Sequence, residues 1–207
     1  MTILPPPSES AASKKLVDEV LEKTDLSSYS SIPVDFPVHV HEKSGEPNLS
    51  AKAIHLFPDG FDDERAHIDD PDCGDNRTSV FGGDVTCRSL YTGNWMGIGG
   101  KLRSKVVHGH SGCNTGVVAN SIEAILVLEQ GHSFIADDEL KAEAVYTEHN
   151  MLGDPGDGSI AHFADNAVEL FQKQFLLPIK GYEDEYEVDF AGVTKAILNG
   201  QPWRRDS

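Results

Sequence analysis

Two short phrases in this 207-residue chain hold side chains that together could bind a metal. Cys73-Gly-Asp75-Asn-Arg77 sets a thiolate, a carboxylate and a guanidinium at alternate positions, and His108-Gly-His110-Ser-Gly-Cys113 sets an imidazole three residues before a second thiolate. Two thiolates and one imidazole make three ligands for a tetrahedral zinc ion. A zinc site with three protein ligands keeps its fourth position for water or substrate, the arrangement of a catalytic centre. Either His108 or His110 could serve; the shorter His-x-x-Cys bite favours His110, giving Cys73, His110 and Cys113 as the expected Zn2+ ligands. The third cysteine, Cys87, lies in an apolar-patterned stretch and reads as a small buried side chain.

The elements that would position these ligands are read from periodicity. Lys105–His108 is expected as a short strand, handing over through Gly109 and Gly112 to a helix from Thr115 to Leu128. That helix's N-terminus would favour the Cys113 thiolate. Gly83–Tyr91 reads as another strand, Pro33–His41 and Ala51–Phe57 as short extended elements, and the acid-crowded run Asp59–Asp72 as a solvated loop. Helices are expected at Ala11–Lys23, Ala164–Leu177 and Phe190–Leu198 from their apolar spacing and their Pro or Gly stops. Strands alternating with helices imply an α/β fold, a mainly parallel β-sheet flanked by helices. No internal repeat is visible. Residues 1–10, rich in Pro and Ser, are expected to be a disordered N-terminus, and residues 11–207 a single α/β metalloenzyme domain.

Composition narrows the partners. Seventeen Lys and Arg against 34 Asp and Glu give a net charge of −17, which argues against nucleic acid and anionic membrane surfaces and leaves a small neutral substrate unaffected. Three cysteines without a disulfide pattern, and no basic-then-apolar leader, point to a reducing, cytoplasmic setting. The apolar stretch Val117–Leu128 is too short and interrupted to span a bilayer.

Three phrases in order, Cys73-Gly-Asp-Asn-Arg77, Gly83-Asp-Val-Thr-Cys-Arg-Ser-Leu-Tyr-Thr-Gly-Asn94 and Gly109-His-Ser-Gly-Cys113, resemble the β-class carbonic anhydrases. The resemblance covers about forty residues and the stretch after them. It departs from the family in the charged approach to Cys73 and in Asn114, where the family has Gly. It implies zinc-bound hydroxide attacking a small linear electrophile, carbonyl sulfide or carbon dioxide, with Asp75 accepting a hydrogen bond from the bound water and Arg77 holding Asp75. The compact chain suggests a carbonyl sulfide hydrolase with a pocket wall drawn from Phe81, Tyr91, Trp95 and Met96, in a homodimer or higher homo-oligomer. Two other readings compete. His39-Val-His41-Glu42 could bind iron or manganese as in cupin-type oxygenases, and a structural metal could sit in a non-catalytic interaction protein.

Overall fold

The structure is a computed structural model that describes residues 1–24, 35–49, 51–70, 77–110, 116–149, 152, 160–182 and 185–205. In chain order the elements are β1 (Thr2–Leu4), α1 (Ala11–Thr24), β2 (Val38–Val40), β3 (Ile54–Phe57), β4 (Phe61–Asp70), β5 (Thr78–Phe81), β6 (Val85–Thr92), β7 (Trp95–His110), β8 (Gly116–Gln130), β9 (Ser133–Thr147), β10 (Ile160–Ala164), α2 (Ala167–Leu170), β11 (Leu176–Pro178), β12 (Tyr186–Val188) and α3 (Phe190–Leu198). The expected helix-flanked α/β fold is corrected here: strand makes up 54% and helix 17%, and the strands form a β-solenoid-like coil.

Parallel pairing builds the coil. Ile54 sits beside Thr78 and Thr78 beside Trp95, so successive turns run 24 and then 17 residues. Each turn has a short run, such as Ile54–Phe57 or Thr78–Phe81, and a long run, such as Phe61–Asp70 or Val85–Thr92. From β7 onward one strand supplies both runs, with a register irregularity between them at Ile98/Lys101 and again at Ala119/Ser121. The short and long runs enclose one core: Phe57, Phe61, Phe81, Met96, Leu102, Val107, Val127 and Phe134 pack in a single cluster. Fully burying one such side chain contributes about 1.5–3 kcal/mol.

Both outer faces of the coil that bear apolar residues are covered by helices. Val17 and Val20 of α1 pack on Val38, Ile54, Leu56, Val80 and Val118 on the outside of the short runs. Val193, Ala196 and Ile197 of α3, with Leu170, Phe171 and Trp203, join the cluster of Val106, Leu126, Leu128, Ala144 and Tyr146 on the outside of the long runs. Asp189 caps α3, its carboxylate accepting the Gly192 N–H at 2.9 Å.

This covering explains the altered elements. The segment read as a helix from Thr115 is strand β8, in which Leu126, Val127 and Leu128 are all buried because one side faces the core and the other faces the C-terminal helices. The acid-rich run read as a loop is strand β4, with Ala66, Ile68 and Asp70 buried and Glu64, Arg65, His67 and Asp69 exposed between them. The helix expected over Ala164–Leu177 is reduced to the four residues of α2, a single 3₁₀ turn and β11. Helices α1 and α3 lie where the periodicity put them. Within residues 1–10, Thr2–Leu4 pairs antiparallel with Val38–Val40.

Candidate functional site

The long runs end at a common edge. Asp70 lies beside Thr92, Thr92 beside Gly109, Gly109 beside Glu129 and Glu129 beside Thr147. Since side chains alternate along a strand, this row faces inward and the rows on either side of it face outward. The inward row is polar. Asp70 accepts from Asn94 Nδ2 at 2.9 Å and pairs with Arg77 at 3.4 Å; Arg77 also reaches the Leu49 carbonyl at 3.4 Å. Glu129 accepts the Gly131 N–H at 2.6 Å, the His149 N–H at 3.0 Å and the Thr147 hydroxyl. Burial and the neighbouring His108 and His110 hold His132 down at about 4, against a smaller upward pull from Glu129.

Outward from that layer, the long runs and α3 bound a cleft of about 810 Å³. Tyr91 and His108 are adjacent in one outward row, with ring centroids 4.7 Å apart. Phe190, at the start of α3, lies 5.2 Å from the His108 ring, and His110 stands 6.5 Å from both Tyr91 and His108. In the next outward row His67 Nδ1 meets Ser89 Oγ at 2.6 Å. The helical wall is Phe190, Ala191, Thr194, Lys195 and Leu198, and Arg88 donates from Nη2 to the Leu198 carbonyl at 3.1 Å, tying the end of α3 to β6.

Burial keeps the His108 and Tyr91 rings of the cleft uncharged at physiological pH, while Arg88, Glu187 and Lys195 bring charge to the rest of its lining. Burial lowers the His108 pKa to about 4, opposed by its bond to Gln130 and reinforced by His110. Burial, and then the Asp69 charge, raises the Tyr91 phenol. Burial also raises the Asp69 carboxyl, against a smaller opposite effect from His67. The ring-bearing side of the cleft therefore presents the uncharged hydrogen-bonding groups of His108 and Tyr91, a surface suited to a small organic ligand.

Of the residues singled out in the sequence, Cys73, Asp75 and Cys113 lie outside the described residues. His110 is exposed at the end of β7 and lines the cleft, and Arg77 is buried in the inward layer. The expected wall is dispersed: Phe81 and Met96 lie in the core, Trp95 packs beside the α1 cluster, and only Tyr91 faces the cleft. Cys87 is buried, and burial pushes its thiol up to about 12, an inert core side chain.

At the amino-terminal end of the coil, His55 Nε2 donates to the Ala51 carbonyl at 3.0 Å, so its Nδ1 accepts from His41 Nε2 at 2.9 Å. His39 packs edge-on against His55. Glu42, expected beside His39 and His41, is 84% exposed and meets the N-terminal ammonium at 3.5 Å. Among the described residues, no group of three or more His, Cys, Asp and Glu is placed to hold a metal. None of the described helices is long and apolar enough to cross a membrane.

Sequence reading missed His67, Ser89, Gln130 and Phe190. The signal for His67 was the alternation Ala66, Ile68, Asp70 hidden among charges, and Ser89 follows from its register beside His67. Fold and site together define a β-solenoid with a ring-lined lateral cleft. No family model, curated protein or solved structure matches the chain.

Proposed function

We propose that the protein binds a small, planar, largely uncharged organic molecule in the cleft between the long runs and α3. The observation that carries this reading is the convergence of three rings, Tyr91, His108 and Phe190, from β6, β7 and α3 on one space of about 810 Å³. Rings stack on planar ligands at little entropic cost, while the polar ring atoms orient them. Ligand-detected NMR with a set of aromatic fragments tests it. Binding should appear in the native chain and vanish in Thr194→Trp, whose indole fills the cleft from the half-buried helical wall. Unchanged binding in that variant would locate the ligand elsewhere.

A second reading keeps zinc-dependent hydrolysis or hydration of a small linear electrophile, with Cys73, His110 and Cys113 as ligands and Asp75 beside the bound water, but without Arg77, which is buried in the inward layer against Asp70. It is supported by register. Asp70, before the first motif segment, and His110, before the second, end strands on the same edge, two strand spacings or about 10 Å apart. His110 is also exposed and makes no hydrogen bond to a described residue, so its ring is available to a cation. Zinc would supply a hydroxide near neutral pH at the cleft's mouth. Elemental analysis decides: about one zinc per chain, lost in Cys113→Ala and kept in Cys87→Ser. Zinc retained in the Cys113 variant, or none in the native protein, sinks this reading.

A further inference from the structure

The hydrogen bonds behind His108 fix more than its position. Gln130 Nε2 lies 3.2 Å from Glu148 Oε1, and Gln130 Oε1 lies 2.7 Å from His108 Nε2. A carboxylate only accepts, so the Gln130 amide must present its NH₂ to Glu148 and its oxygen to His108. An amide oxygen also only accepts, so His108 Nε2 must carry the ring proton. The direction of the chain, read from Glu148 inward, leaves Nδ1 as a bare lone pair. That nitrogen makes no hydrogen bond to any described residue. The ring it belongs to lines the cleft between Tyr91 and Phe190.

We propose that His108 Nδ1 is the acceptor that selects cleft ligands carrying an O–H or N–H donor, and that Glu148, acting through Gln130, is the positioning residue that sets this tautomer. The proposal rests on the cleft being the binding site, and it names the ligand class: a planar aromatic molecule with a neutral hydroxyl or amide N–H. Tyr91 adds a complementary group, since its phenol also has no hydrogen-bond partner among the described residues and burial keeps it protonated. A hydroxyl oxygen could accept from Tyr91 while its proton goes to His108. A ligand able only to accept would leave the His108 lone pair buried and unmatched, which is what makes such pairs discriminating.

Reversing the charge at the far end of the chain tests the proposal. Glu148 is exposed, and its backbone N–H is held by the Glu129 carbonyl at 2.9 Å, so Glu148→Lys changes the side chain without removing the strand-end bond. A lysine only donates. It requires the Gln130 oxygen, turns the NH₂ toward His108 Nε2, and moves the imidazole proton to Nδ1. Long-range ¹H–¹⁵N spectra of histidine-labelled protein read the tautomer with no ligand present: Nε2–H is expected in the native chain and Nδ1–H in the variant. Fluorescence titrations with 2-naphthol and 2-methoxynaphthalene then read selection. The naphthol is expected to bind the native chain roughly tenfold more tightly, and the preference is expected to fall to near parity in the variant. An Nδ1–H tautomer in the native chain, or a tautomer unmoved by Glu148→Lys, overturns the relay. Equal binding of the two probes with the expected tautomers overturns selection by His108. Binding of neither probe, with the tautomers as expected, overturns the cleft as the ligand site and the selection built on it.

Discussion

Arg77 carries its charge almost wholly out of water, with its side chain 5% exposed and that of Asp70 beside it fully buried. A guanidinium in such a place is tolerable only while its partners remain, and removing one member of a buried pair costs far more than the pair contributes. Arg77→Met should therefore destabilise the fold by about 3–5 kcal/mol, seen as a lower urea midpoint with an unchanged slope. A loss below about 1 kcal/mol would mean that water reaches the pair as it reaches a surface ion pair. The sequence shows Arg77 two residues from Asp75, and that spacing suggested a local pair. The bond to Asp70 joins the end of β4 to the start of β5 around the coil's edge. Such a partner follows from the coil's geometry, which no short window of residues displays. His110 was singled out as a metal ligand because its own phrase is polar and Gly-rich, and in the fold it lines the cleft. His67 and Ser89 were not, because each acquires its meaning only from the strand beside it.

At the scale of elements, α1, α3 and the extended runs at Pro33–His41, Ala51–Phe57, Gly83–Tyr91 and Lys105–His108 were legible, whereas β4, expected as a loop, and β8, expected as a helix, were not. Helix α3 is amphipathic with a capping Asp189 ahead of it and Asn199-Gly200 behind, a local signal that tertiary packing leaves intact. Strand β8 is apolar on both sides because core and helices cover it from opposite directions, and a two-sided apolar run has no period of two to detect. Turns of 24 and 17 residues also hide the repeat, since no constant offset aligns them. Close approach between neighbouring segments constrains several glycines, Gly109 among them. A Cβ on Gly109 would come within 2.7 Å of three atoms of the His132 side chain, which fills the inward space that this glycine leaves. Gly109→Ala must push that buried imidazole aside, at a cost of about 1–3 kcal/mol typical of overpacking. A lowered melting temperature together with altered His132 resonances is the expected result. A melting temperature equal to that of the native chain would show that the inward layer has room to relax.

For the whole molecule, the imidazoles set the response to acid. Burial is the largest cause in each of four cases, His41, His55, His108 and His132, and holds each at about 4 against an ordinary 6.5. Above pH 6.5 these groups are neutral whether the chain is folded or not, and their contribution to stability is complete. As pH falls from 6.5 toward 4, the unfolded chain takes up protons that the folded chain refuses, so stability is lost across that window. His55 and His132 are fully buried, and each should contribute up to about 1.4 kcal/mol per pH unit there. The net charge of −17 acts the other way, because protonation relieves self-repulsion and would by itself strengthen the fold as pH drops. The two effects thus predict opposite slopes. Urea midpoints at pH 7.5, 6.0 and 5.0 should fall in that order, and His132→Gln should make the decline shallower. Midpoints that stay level or rise would mean that the imidazoles are solvated in the native state and that charge repulsion governs the acid response.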